Sequence, residues 1–337
     1  MRILRYISCF LLAFGLSCYS YGQSWTGQAY EFYQAKDFEN AKMAIDSAIT
    51  TIERFDSQTW QLRGLIYRNI STDDQIYYRE ISLESFVFAK KVDSAGVYTD
   101  KINHYIKSTV VRYYNDAVIL LNEERAFDKS EESYNTYKQK YKTLLDPSFD
   151  FRESDIAYYN AIGAAYLEKA ELVEPKNKAP LREKAIEYCK KVIEIDSLDY
   201  KANFNSGIVY YNIGVDLIVH TDPEITIEQL ILNQKHSEKA FLNALPYLKR
   251  AEKLRPDSKE VKEALTGCYR GLNNNELYLK YQTELDRENL PIYLKRYETH
   301  PTDVDNVKQI VRIYTYTMPN EEEKARFRKV LDDLNKR

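Results

Sequence analysis

The residues that could do chemistry in this chain are few, and their spacing argues against catalysis. His104, His220, His236 and His300 are scattered, with no second histidine or cysteine at metal-ligand spacing, so no metal site is expected. There is no G-x-S-x-G elbow, no glycine loop to cradle a phosphate and no Cys-His pairing. Glu123-Glu124 and Glu131-Glu132 could supply paired carboxylates, but on helix faces or turns they read more simply as solvated surface. No cofactor and no enzymatic activity are expected. Tyrosine is what the chain has in excess: 30 copies against 10 glycines and 9 prolines. A ring either fills a seam between helices or offers a stacking face, so the question becomes which elements hold the rings.

The stretch from Tyr200 to Pro256 answers it most completely. Gly207 and Tyr210 stand three apart on one helix, Ala244, Leu248 and Ala251 follow at i, i+4, i+7 on a second, and Pro256 closes the unit. A small residue permits a close helix crossing and an aromatic three residues on fills the gap beside it. This pattern resembles the tetratricopeptide repeat, W-x2-L-G-x2-Y, A-x3-F, P over about 34 residues. The same signature recurs as Trp25, Ala29, Phe32 with Ala41, Ile45, Ala48, and as Trp60, Gly64, Tyr67 with Phe86, Ala89. A weaker copy has Tyr114, Val118, Leu121 with Ser130, Tyr134, Tyr137, reached from a loop at Asp93–Asp100 through Ile102 to Thr109. Further copies have Tyr159, Ile162, Gly163, Tyr166 with Ala185, Cys189, Val192, then Leu265 and Tyr269. A short helix at Ile292–Tyr297 precedes the last copy, Val304, Val307, Val311, Tyr314, whose terminal helix has Asn320 as cap and Glu323 placed for a capping box.

The resemblance implies an all-α fold, a TPR-like right-handed α-solenoid of about six to seven helix pairs, in one domain over 23–337. Its units fall near 23–56, 57–95, 111–147, 156–198, 200–258, 259–288 and 304–337. Units two, four and five are lengthened at the turn between their helices, near Ser71–Glu80, Glu171–Leu181 and Asp216–Lys239, so the insertions should share one rim. The longest carries Thr226 and Gln229 as a capping box and Ile227, Leu230, Ile231 at i, i+3, i+4, which predicts an extra amphipathic helix. Its apolar stripe is expected to pack on the neighbouring turn or to border the groove and meet a partner.

In the tetratricopeptide family the first helices line a concave groove that takes an extended peptide or a partner helix. The resemblance places Tyr30, Tyr33, Leu65, Arg68, Asn160, Phe204, Ile208, Tyr211 and Arg270 there, although each ring could instead fill the seam to the next repeat. The family's lysine and asparagine clamp for a terminal carboxylate is matched only by Lys201 and Asn205, and no carboxylate capture by it is expected. Two functions stay open: a monomeric scaffold for a protein or peptide partner, and a binder of a glycan or small ligand on the tyrosine-rich groove. A glycan site would want carboxylates and amides around one ring, and no such cluster is visible in sequence.

Residues 1–22 read as a secretory signal: Arg2 and Arg5 start it, Tyr6 to Leu16 form a short apolar run, and Ser20 and Gly22 are small cleavage residues. The rival reading, lipidation at Cys18, conflicts with Gly15 standing where a lipobox wants leucine. The leader is similar to those of exported proteins of Bacteroidetes-type bacteria, whose exported TPR proteins the whole chain resembles, so the periplasm or cell envelope is expected. Removing Arg2 and Arg5 takes 48 basic residues to 46 against 51 acidic, a mild −5, and no basic block or stripe invites nucleic acid. No later run reaches the roughly 20 apolar residues of a membrane span. Cys189 and Cys268, in different repeats at seam positions, are expected as buried free thiols. Asp46-Ser47, Asp93-Ser94 and Asp196-Ser197 resemble O-glycosylation sites of such bacteria, with Ser94 and Ser197 the better candidates because Ala48 after Ser47 should be core.

Overall fold

The computed structural model describes residues 24–70, 75–219 and 225–336. The expected leader, with Cys9 and Cys18, lies outside them. The described residues contain fourteen α-helices and no strand. They divide into two compact units, with the boundary between Phe149 and Asp150. Each unit is a stack of helix hairpins, the α-solenoid type of arrangement.

The first unit holds α1 (Trp25–Gln34), α2 (Phe38–Ala48), α3 (Ser57–Asn69), α4 (Gln75–Val92), α5 (Thr99–Asn122) and α6 (Phe127–Leu144). The second holds α7 (Arg152–Leu172), α8 (Pro175–Ile195), α9 (Tyr200–Val219), α10 (Ile227–Leu254), α11 (Lys259–Gly271), α12 (Asn275–Thr299), α13 (Val304–Arg312) and α14 (Glu321–Asn335), with a π-helical turn at Ile313–Thr317. Every odd-numbered helix packs against the even-numbered one that follows it. First helices of successive hairpins also touch, α1 with α3, α7 with α9 and α9 with α11, so within each unit they present a shared face.

The hairpins are set by caps and by small residues. Asp37 accepts from Asn40 N at 3.2 Å to start α2, Asp56 from Gln58 N at 2.9 Å to start α3, and Asn274 from Leu277 N at 3.1 Å to start α12. Three short hairpin turns share one device: Lys36, Arg125 and Asn273 adopt φ of 60°, 54° and 54°, the left-handed turn that ends a helix just before the next cap. At the crossings the helices approach closely. A Cβ added at Gly64 would lie 2.5 Å from the ring of Phe86, and one at Gly207 would lie 2.6 Å from Leu248. Buried serines bond across three hairpins, from Ser82 to the Gly64 carbonyl, Ser130 to Ala117 and Ser237 to Gly214, at 2.8, 2.7 and 2.8 Å. Each satisfies a buried hydroxyl and pins one register.

Several expectations change. The stretch Ile102–Thr109 does not lead into the third hairpin; it belongs to α5, because Ile102, Ile106, Thr109, Val110, Tyr113, Ala117 and Leu121 form one continuous buried stripe. That stripe puts Tyr113 and Ala117 in the core where Tyr114 and Val118 were expected. Trp25 and Phe32 stay 44% and 37% exposed, because α1 begins the described stack and fully buries only its Ala29 side. The short helix at Ile292–Tyr297 is the end of an unbroken α12 that runs through Pro291; Leu290, Tyr293, Leu294 and Tyr297 bury themselves in the core of the last hairpin. Asn320 caps α14 as expected, but Glu323 pairs with Arg326 at 3.2 Å rather than closing a capping box.

The insertions are helical. In the fourth hairpin α7 and α8 simply run on, with Pro175 at the first turn of α8 and Pro180 inside it. In the fifth, the predicted extra helix is the first part of a 28-residue α10, entered through the capping box of Thr226 and Gln229. Within the second unit these two extensions lie side by side. Arg182 and Lys178 of α8 both reach Asp216 of α9, at 2.8 and 3.2 Å, and Glu171 of α7, at 3.0 and 3.6 Å. The 71–74 part of the first insertion lies outside the described residues.

Candidate partner-binding surface

The nine groove candidates part into those that pack and those that face solvent. In the first unit Tyr33 is half-buried against Phe38, ring centroids 5.9 Å apart, and its hydroxyl accepts from Asn69. Tyr30 on the same helix is exposed, and Leu65 is half-buried on α3. Arg68, in the last turn of α3, donates to Ser108 of α5 at 2.7 Å. In the second unit Asn160 is 8% exposed and donates through Nδ2 to Asp199 at 3.2 Å, which ties α7 to the start of α9, while its buried Oδ1 has no hydrogen-bond partner. Phe204 stacks on Tyr200 at 5.8 Å and, with Ile208, packs against the core of the fifth and sixth hairpins. Tyr33 and Phe204 thus pack within their seams.

Tyr211 and Arg270 are brought together. They line a cavity of about 630 Å³ between α9, α10 and α11, floored by Phe241 and Gly271. The floor has no room for a side chain at 271, since an added Cβ would run into the Phe241 ring. The outer wall comes from the hairpin extension, Val215, Ile218 and Val219 on α9 and Leu230 on α10. The sequence marks Ile227, Leu230 and Ile231 as a stripe and leaves open whether a neighbouring turn covers it or it borders the groove. In the structure Ile227 is 76% exposed, Leu230 51%, Ile231 48% and Leu232 51%. Among the described residues nothing covers this apolar face completely. Val215, Ile218 and Val219 went unnoticed because α9 was expected to turn near Asp216.

Beside this cavity lies a polar one of about 450 Å³, lined by Glu263, Gln282, Asp286, Asn289, Gln309 and Arg312 around Tyr278 and Tyr293. Carboxylates and amides therefore do gather around tyrosine rings, which the sequence did not reveal because they come from α11, α12 and α13. Most are already engaged with one another. Asp286, 1% exposed, takes Arg312 through both oxygens at 2.6 and 2.8 Å, Thr317 at 2.7 Å and Gln282 at 2.9 Å. Burial alone would raise its pKa, but these donors outweigh it and hold the carboxyl below its ordinary value.

No family model matches the chain, and no curated protein matches it. Among solved structures it is similar to a monomeric mutant of IFIT1 with Gppp-AAAA, at 10% identity over 92% of this chain and 71% of that one, with a TM-score of 0.29.

Cys189 and Cys268 are buried free thiols, pushed by burial up to about 11 and about 12. Ser94 and Ser197 are exposed, whereas Ser47 returns its hydroxyl to the Met43 carbonyl at 2.9 Å. The side chain of Asp196 accepts from Leu198 N at 2.9 Å, ordinary turn chemistry. Among the described residues no helix is long and apolar enough to cross a membrane, and no group of three or more metal-ligating side chains stands together.

Proposed function

We propose that this chain is a non-enzymatic scaffold of the tetratricopeptide type, exported to the periplasm or cell envelope, that binds a protein or peptide partner on its second unit. The observation that carries the reading is the exposed apolar tip of the α9–α10 hairpin beside the Tyr211–Arg270 cavity. Exposed aliphatic side chains grouped at the rim of a concave surface mark interaction sites, and each half-exposed one that a partner covers contributes roughly 1 kcal/mol of transfer free energy. The complementary ligand is an amphipathic segment with an apolar face for Val215, Ile218 and Leu230 and a carboxylate for Arg270.

Affinity capture from an envelope extract of the source organism tests it, comparing the wild type with the double variant Leu230→Lys, Ile231→Lys. Both positions are about half exposed, so the melting temperature should hold while the captured partner is lost. Retention of the same partner by the double variant refutes the assignment. Export is tested by N-terminal sequencing of the mature protein, which should begin near Gln23.

The polar cavity around Tyr278 and Tyr293 supports a second reading, glycan or small-ligand binding. Its side chains are largely satisfied by one another, which favours the protein partner. A glycan array hit abolished by Tyr278→Ala, with no protein captured, reverses the order.

A further inference from the structure

The first unit carries a feature that the scaffold reading does not use. A cavity of about 210 Å³ lies where α3, α4 and α5 meet, walled by Tyr67, Ile70 and Tyr78 and by three arginines, one from each helix: Arg68, Arg79 and Arg112. At about 30 Å³ per water that is roughly seven waters of space, enough for a small solvated group. Lys42 adds a fourth cation nearby, donating to the Tyr78 hydroxyl at 3.4 Å.

The counter-charges do not match. Asp116 takes Arg79 at 2.5 Å, and that is the only carboxylate paired with the three arginines among the described residues. Asp46 is used by Arg63 and the Tyr67 hydroxyl, and Glu80 by Lys140 and the Tyr113 hydroxyl. Among the described residues Arg68 reaches Ser108, and Arg112 reaches the backbone carbonyl of Arg68 at 3.2 Å; neither meets a carboxylate. Arg79 is 5% exposed, yet its Nε has no hydrogen-bond partner. That nitrogen is itself sealed from solvent, so the case for a ligand rests on the guanidiniums that line the cavity from three helices, where an oxyanion would offset their mutual repulsion. Burial, and then repulsion from Arg68 and Arg79, lowers the pKa of Arg112, which agrees with an excess of positive charge at this point.

We propose that this cavity binds a tetrahedral dianion, a phosphoryl or sulfate group, held by Arg68, Arg79 and Arg112. Among the described residues the three guanidiniums face one carboxylate, and the planar N–H pairs of arginine suit bidentate contact with such an oxyanion. The inference is independent of the scaffold reading, since the apolar surface belongs to the second unit and can fail without it.

The test titrates the mature chain with inorganic phosphate and, separately, with phosphoserine, at ionic strength matched by sodium chloride, reading heat and melting temperature. Saturable binding is expected. Arg68→Gln and Arg112→Gln should each weaken it about tenfold or more, while Arg270→Gln leaves it unchanged. Arg79 is too buried for a clean first variant. A merely structural Arg112 would lower the melting temperature of the ligand-free protein when replaced; here Arg112→Gln should maintain or raise it while abolishing the phosphate-induced rise. Equal binding of both probes identifies the isolated group as sufficient, and binding of phosphoserine alone identifies a phosphoryl group carried on a larger ligand. Phosphate no more effective than chloride overturns the proposal.

Discussion

Replacing Gly207 by alanine tests the helix crossing at the centre of the longest hairpin. The added Cβ would lie 2.6 Å from both Cγ and Cδ2 of Leu248 and 3.3 Å from its backbone nitrogen. Carbon atoms rest at about 3.5–4.0 Å, so α9 and α10 must part by roughly 1 Å or Leu248, fully buried, must leave its rotamer. Such overpacking costs about 1–3 kcal/mol. Alanine recovers about 1 kcal/mol of helix propensity over glycine, leaving a net destabilisation of roughly 0–2 kcal/mol. The sign should reverse once Leu248 is truncated. Leu248→Ala alone opens a cavity costing about 2–5 kcal/mol. In that background the new methyl enters vacated space and gains its burial, about 0.8 kcal/mol, besides the propensity, so Gly207→Ala becomes stabilising by about 1–2 kcal/mol. Gly163 is the internal control. Its added Cβ would meet nothing closer than Tyr188 Cβ at 3.3 Å and the Ala185 carbonyl at 3.5 Å, so Gly163→Ala should be neutral or stabilising by up to about 1 kcal/mol. Urea unfolding of the mature chain followed by far-UV circular dichroism measures all four variants. Gly207→Ala stabilising the wild-type background as much as Gly163→Ala does, or showing no change of sign with Leu248→Ala, refutes the close crossing.

Asp286→Ala should cost about 3–5 kcal/mol at neutral pH, because it strands Arg312 beside a buried site. The carboxyl's folded pKa lies below its ordinary 3.8, so the contribution is complete above that value and lost as pH falls through the lower folded one; the variant and wild type should converge in acid melts. Lys36→Gly should stabilise by up to about 1 kcal/mol, since glycine removes the left-handed strain at φ 60° and loses less than that in backbone entropy. A melting temperature lowered by that change contradicts the turn geometry. Cys189 and Cys268, raised by burial to about 11 and about 12, should resist a thiol reagent at pH 8 in the folded protein and react together on unfolding in urea. Rapid native labelling of either places it wrongly.

Much of the fold was legible because its signals are local. Gly207 with Tyr210, and Ala244 with Leu248 and Ala251, repeat at helical spacing whatever surrounds them, and so do Gly163 with Tyr166 and Ala185 with Val192. Thr226 and Gln229 form their capping box from two side chains three residues apart, and Asn320 caps a helix with the backbone next to it. The extent of the helices was not legible, because proline and polar stretches read as breaks when only neighbours are weighed. Pro180 and Pro291 sit inside α8 and α12, where packing along the rest of each helix outweighs the lost hydrogen bond. That is why the insertion at Asp216 became an extended hairpin with an exposed tip rather than a loop carrying a separate helix. Sites were the least legible. Tyr211 and Arg270 could be placed on first helices from their positions in the repeat, but Phe204 and Ile208 looked the same in sequence and packed inward. Arg68, Arg79 and Arg112 belong to three helices, and no spacing along the chain relates them; only the angle at which α3, α4 and α5 cross makes their charges neighbours, and it leaves Arg79 Nε without a partner.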